Sequence, residues 1–175
     1  MAESHRIDAT EHVVESGLDR QGRRELCTML GRALSANYVL YHKTHAYHWN
    51  VTGPLFYSVH KLTDKQYEDL AEAIDSLAER IRALGFAAPV GLKHYLSDSV
   101  IDDVTSIPDA GTMLKELALD NEHLAGSMRD IVKKAEDIGD TFTADFITER
   151  IGQHEENAWM LSALAMGDER ANLAV

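Results

Sequence analysis

The chain has 175 residues, with 17 lysines and arginines against 29 aspartates and glutamates, a formal net charge of −12. That acid excess disfavours a protein whose main work is to neutralise phosphates, and 45% hydrophobic with 26% charged residues excludes a disordered or fibrous chain. The length suits one domain, 3 prolines argue against a turn-rich all-β barrel, and the single Cys27 excludes both an intramolecular disulfide and a cysteine metal cluster. The polar stretch from Met1 to His12 lacks the apolar core of a signal peptide, and no apolar run reaches membrane-spanning length. A reducing, cytoplasmic setting and no membrane partner are the expectation.

In chain order, residues 1–22 read as an N-terminal tail, 23–167 as one helical domain and 168–175 as a short C-terminal tail. From Arg24 to about Trp49, Leu26, Met29, Leu30, Ala33, Leu34, Tyr38, Leu40 and Tyr41 recur at helical spacing and predict a long first helix. Gly53 and Pro54 mark a turn, and a second periodic run from Phe56 to Leu84 is placed to stop at Gly85. Between Gly85 and about Asp109 the period is lost, except for a short helical patch from His94 to Ile101. A third helix runs from Met113 to Ile138 before Gly139, and a fourth, capped by Asp140 or Thr141, runs to Gly167. The fold class is therefore all-α: a four-helix bundle with one long crossover, containing a short helix, between helices 2 and 3.

Histidines crowd the first turn, with His42, His45, His48 and His60 close together in sequence. A lone helical histidine is ordinarily a polar surface residue, and His42 and His45 are read that way. On the second helix His60 and Asp64 are spaced i, i+4, as are Asp75 and Glu79. At 100° per residue the four fall within one stripe roughly 100° wide, polar and without a cation among them. Histidine with carboxylate is the donor mixture for iron, zinc or manganese. Asp64 and Asp75 lie about 16 Å apart along the axis at 1.5 Å per residue, so one helix cannot close both pairs on one ion. Two copies packed antiparallel across a two-fold would bring the pairs together twice, with His48 placed to join the His60 half. A Glu-x-x-His signature for a metal centre inside the bundle is absent. Asp120-x-x-His123 is the nearest approach, and His123 and His154 are read as polar bundle or surface residues.

The run His48-Trp49-Asn50-Val51-Thr52-Gly53-Pro54-Leu55-Phe56, followed by His60, Asp64, Asp75 and Ala78-Glu79-Arg80-Ile81, resembles the Dps proteins, or miniferritins, of the ferritin-like superfamily. The likeness spans about residues 20–167. It implies a hollow homo-dodecameric shell with ferroxidase centres at the dimer interface, each using His48, His60 and Asp64 of one chain and Asp75 and Glu79 of its mate. It further implies dinuclear iron as the metal, Fe(II) and hydrogen peroxide as substrates, ferric mineral as the stored product, and zinc as a possible competitor. Trp49 matches the family's tryptophan beside the centre, a trap for stray oxidising equivalents. Asp140 and Asp145 resemble the residues that line the family's three-fold pores, although helix capping explains Asp140 equally well.

One departure concerns DNA. The first 25 residues hold Arg6, Arg20, Arg23 and Arg24 against Glu3, Asp8, Glu11, Glu15, Asp19 and Glu25, a sum of 4 − 6 = −2, with no lysine. Family members that bind DNA through lysine-rich tails differ in this, so DNA affinity is expected to be negligible. A nucleoid-associated DNA-binding protein with little ferroxidase activity is the runner-up, and a catalytically silent helical shell is third.

Overall fold

The computed structural model describes the backbone of residues 11–172 and the side chains of residues 11–166. Among them are five helices: α1 (Arg20–Asn50), α2 (Phe56–Ala83), α3 (Leu92–Asp98), α4 (Ala110–Asp137) and α5 (Thr141–Asn172). The four long ones form the bundle. The short α3 lies in the crossover and rests on α1, where Tyr95 meets Tyr38 with ring centroids 4.7 Å apart.

Helix limits follow from local chemistry. The Asp19 carboxylate accepts from the Gly22 amide at 2.8 Å, so α1 starts four residues before the apolar period does. Asp109 caps α4 through the Thr112 amide at 3.0 Å, and Asp140 caps α5 through the Thr143 amide at 3.1 Å. Contrary to the sequence expectation, α5 does not stop at Gly167 but continues to Asn172. Glycine permits termination without imposing it, at a cost of about 1 kcal/mol inside a helix.

Apolar faces converge in one core. Leu26, Leu30 and Leu34 of α1, Leu70, Leu77 and Ile81 of α2, Leu114, Leu117 and Leu124 of α4, and Ile147 and Leu161 of α5 are all buried. The extended residues 11–19 lie against the end of this bundle. The His12 amide donates to the Gly85 carbonyl at 3.0 Å, and Glu11 pairs with Arg20 at 2.7 Å and Arg24 at 3.2 Å. Gly85 has φ of +99°, and a Cβ there would sit 2.9 Å from the His12 carbonyl oxygen. Both the left-handed turn that ends α2 and the close approach of the segment therefore require glycine. Among the described residues no helix is long and apolar enough to cross a membrane.

Candidate metal centre

The α1–α2 turn is tight because Val51 donates back to the Tyr47 carbonyl and Phe56 to the Gly53 carbonyl, both at 3.0 Å. Gly53, at φ of +87°, supplies the left-handed step between them. The turn brings the end of α1 beside the start of α2. His48 and His60 stack there with ring centroids 3.9 Å apart and planes 19° apart. Each ring bonds to the other's backbone: His48 Nδ1 donates to the His60 carbonyl at 3.0 Å, and His60 Nδ1 to the His48 carbonyl at 3.1 Å. A carbonyl oxygen only accepts, so each Nδ1 carries a proton, and in the neutral ring it is Nε2 that keeps the lone pair. That is the tautomer a metal ligand needs, set by the outer hydrogen bond.

One turn along α2 lies Asp64, with Oδ1 4.0 Å from His48 Nε2. The Tyr67 hydroxyl donates to Asp64 Oδ1 at 2.9 Å and Lys61 Nζ approaches Oδ2 at 3.3 Å. Together, the Tyr67 bond foremost, they hold the carboxyl below the usual carboxylate range. Lys61 corrects one sequence inference: the polar stripe is flanked by a cation, because a residue three positions before Asp64 reaches it from the same face.

Asp75 and Glu79 lie further along α2, both exposed and on the side away from Leu70, Leu77 and Ile81. Glu79 borders a cleft with Ser76, Arg80, Ala83, Phe142 and Phe146. Within one chain they do not meet His48, His60 and Asp64, and among the described residues no three acidic, histidine or cysteine side chains form a complete metal-holding group. One chain thus presents two separate half-sets of donors on one helix.

A ferritin-like domain family model matches residues 27–171. The chain is 33% identical over 126 residues to a DNA protection during starvation protein of Helicobacter pylori, covering 71% of this chain and 88% of that one. It belongs to the Dps family of the ferritin-like superfamily. It is also 38% identical over 157 residues to an uncharacterised low temperature-induced protein of Nostoc sp., covering 88% of this chain and 87% of that one. Among solved structures, a Dps protein from Vibrio cholerae O1, described as a member of a broad superfamily of ferritin-like diiron-carboxylate proteins, matches with a TM-score of 0.82 at 31% identity. That match covers 86% of this chain and 95% of that one.

Several other residues in this Dps chain sit differently from the sequence expectation. His45 is not a plain surface residue. It is half-buried, stacked on Tyr67 at 4.2 Å and beside Trp49 at 4.2 Å. Burial, then the neighbouring His48 and His42, lowers its pKa below the usual histidine value. Trp49 itself is 63% exposed. His42 is exposed, with Nδ1 3.8 Å from Asp103. Asp140 is buried, capping α5 and bonding Arg80 at 2.7 Å. Burial alone would raise its carboxyl, but the Arg80 and Thr143 bonds outweigh that and lower it. In the chain it is a structural residue, while Asp145 remains exposed.

Sequence reasoning missed the polar layer inside the bundle. Lys43 bonds Asp120 at 2.8 Å, Asn121 Oδ1 is 2.8 Å from His154 Nδ1, and Arg150 forks onto Asp69 at 2.8 and 2.6 Å. His154 is fully buried, and burial pushes its pKa down to about 3. Asp120 is raised by burial, against the pull of Lys43. Charged residues in step with the apolar period, Lys43 with Leu40 and Tyr47 and Asp120 with Leu117 and Leu124, were the available signal.

Proposed function

We propose that this chain is a miniferritin ferroxidase. It oxidises Fe(II), preferably with hydrogen peroxide, at dinuclear sites shared across a subunit two-fold. Ferric product is stored as mineral inside a hollow dodecamer, which protects the cell from oxidative damage. His48, His60 and Asp64 of one chain and Asp75 and Glu79 of its mate form each site, with Trp49 beside it. The observation that carries this reading is the stacked His48–His60 pair, whose reciprocal backbone bonds occupy both Nδ1 atoms and leave the Nε2 edges unspent, that of His48 lying 4.0 Å from Asp64.

Imidazole and carboxylate donors bind Fe(II) with open positions for oxidant. Two neighbouring Fe(II) ions give one electron each, so that with two protons one peroxide becomes two waters and no hydroxyl radical is released. The net charge of −12 favours accumulation of the cation substrate. DNA protection by a tail is disfavoured by this chain's own contacts. Arg20 and Arg24 are held by Glu11, and Arg23 is turned inward to the Leu84 and Val14 carbonyls; Arg6 lies outside the described residues.

The test is stopped-flow oxidation of Fe(II) by mixed assemblies. Chains lacking His60 and Asp64, combined with chains lacking Asp75 and Glu79, restore one of the two centres in every heterodimer, while either chain alone restores none. Mixtures as inactive as the separate variants would refute the shared site. A salt-sensitive gel shift of plasmid by the iron-free protein would move DNA binding to the front.

A further inference from the structure

The aromatic side chains around His48 continue well beyond the proposed iron ligands. Tyr67, tied to Asp64 by its hydroxyl at 2.9 Å, meets the His48 ring edge-on at 5.1 Å. It meets Tyr41 at 6.4 Å, also edge to face. Tyr41 lies 6.3 Å from Tyr38, and Tyr38 lies 4.7 Å from Tyr95 of α3. Four of the chain's six tyrosines therefore stand in single file, all half-buried. They lead from Asp64 to a cleft of about 230 Å³ between α1 and α3, bordered by Tyr38, His42, Tyr95 and Asp103. From Tyr67 a side branch runs through His45 to Trp49, with ring centroids 4.2 Å apart at each step.

Tyr67 and Tyr95 spend their hydroxyls on Asp64 and on the Pro89 carbonyl, each at 2.9 Å; at Tyr38 and Tyr41 ring packing alone accounts for aromatic character, and phenylalanine would serve it equally well. The Tyr38 and Tyr41 hydroxyls make no hydrogen bond among the described residues. What a phenol adds over a phenyl ring at such a place is oxidisability.

We propose that Tyr67, Tyr41, Tyr38 and Tyr95 form a one-electron relay that carries oxidising equivalents from the His48–His60–Asp64 cluster to the α1–α3 cleft. The iron-driven form of this relay rests on the ferroxidase reading above. When peroxide meets a centre holding one Fe(II), the iron supplies one electron and Tyr67 the second. Fe(II), hydrogen peroxide, the Tyr67 phenol and one solvent proton give Fe(III), two waters and a Tyr67 phenoxyl radical. Each later hop moves one electron towards the site, while the newly oxidised phenol gives its proton to solvent and the reduced phenoxyl takes one up: Tyr41 loses an electron and a proton and becomes the radical, and Tyr67 is restored as a phenol. The same exchange with Tyr38 and then Tyr95 leaves the radical at the cleft. Electronic coupling falls steeply with separation, so rings in near contact define the path.

Two arms test the relay. In the first, azide radicals from pulse radiolysis oxidise tryptophan in the iron-free Trp159→Phe variant, which starts the hole on the exposed Trp49. Loss of tryptophanyl absorbance should match a rise in tyrosyl absorbance at a rate independent of protein concentration, and adding Tyr67→Phe should abolish the match. In the second, rapid-freeze electron paramagnetic resonance follows peroxide added at one Fe(II) per centre, with peptide mapping of oxidised tyrosine. Tyr41→Phe, which removes no hydrogen bond, should confine the radical to Tyr67 and abolish modification of Tyr95 while Fe(II) oxidation proceeds at the parent rate. Equal modification of Tyr95 with and without Tyr41, or a tryptophanyl decay unaffected by Tyr67→Phe, overturns the relay. Iron oxidation no faster than in buffer overturns the ferroxidase reading instead, and the iron-free arm still decides the relay.

Discussion

Histidine is used in opposite ways at the α1–α2 turn and in the bundle interior. At the turn, His48 and His60 spend Nδ1 on backbone carbonyls and leave Nε2 unspent, with His48 Nε2 4.0 Å from Asp64. Inside the bundle, His154 is fully enclosed, Nδ1 is taken by Asn121 and Nε2 has no partner, while Asp120, which precedes Asn121, is committed to Lys43. The same side chain thus presents a donor atom in one place and is sealed off in the other. Binding chemistry requires that donors remain unspent by the fold, not only that donor residues be present.

Breaking the turn should produce the largest effect. His48→Ala removes a proposed ligand and is expected to slow Fe(II) oxidation by at least the roughly 10–100-fold typical of disturbing a metal's supporting residues, with helical circular dichroism unchanged; stopped-flow absorbance checks the rate. Lys43→Ala should do the reverse, leaving oxidation intact and destabilising the bundle by about 3–5 kcal/mol, because Asp120 is left as an unpaired buried charge. Denaturant midpoints measure that loss.

A subtler effect comes from His154. Its folded pKa, pushed down to about 3, lies below the value of about 6.5 for an unfolded histidine. Between these limits the unfolded chain binds a proton that the folded chain refuses, so stability is complete above about pH 6.5 and falls as pH drops towards 3. The contribution approaches about 1.4 kcal/mol per pH unit, and the difference in denaturation midpoint slope between the parent and His154→Gln isolates it. An equal slope in both would mean that the buried ring is not the proton acceptor. The smallest change belongs to Lys61→Ala, which removes an exposed pair with Asp64 and is expected to alter stability by less than about 1 kcal/mol. Its use is to sharpen the comparison: Fe(II) affinity at the turn should rise once Asp64 loses its competing cation, as isothermal titration would record.

Much of the architecture was legible from the residues. Apolar periodicity predicted the four long helices and the short one in the crossover, because a bundle helix must bury one stripe and the stripe is written every third or fourth residue. Its limits were less legible. Asp19 advanced the start of α1 through a cap lying outside the apolar period, and Gly167 failed to end α5. The local spacing of His60 with Asp64, and of Asp75 with Glu79, was set by sequence alone, since residues four apart share a helical face whatever surrounds them. Tertiary structure decided how donor atoms are spent. It fixed the imidazole tautomers through carbonyls across the turn, buried Asp140 against Arg80, and placed Tyr67 and Tyr41 in one file with Tyr38 and Tyr95. Those outcomes depend on which atoms of distant segments come within hydrogen-bonding or ring-contact range, and that is a property of the packed chain.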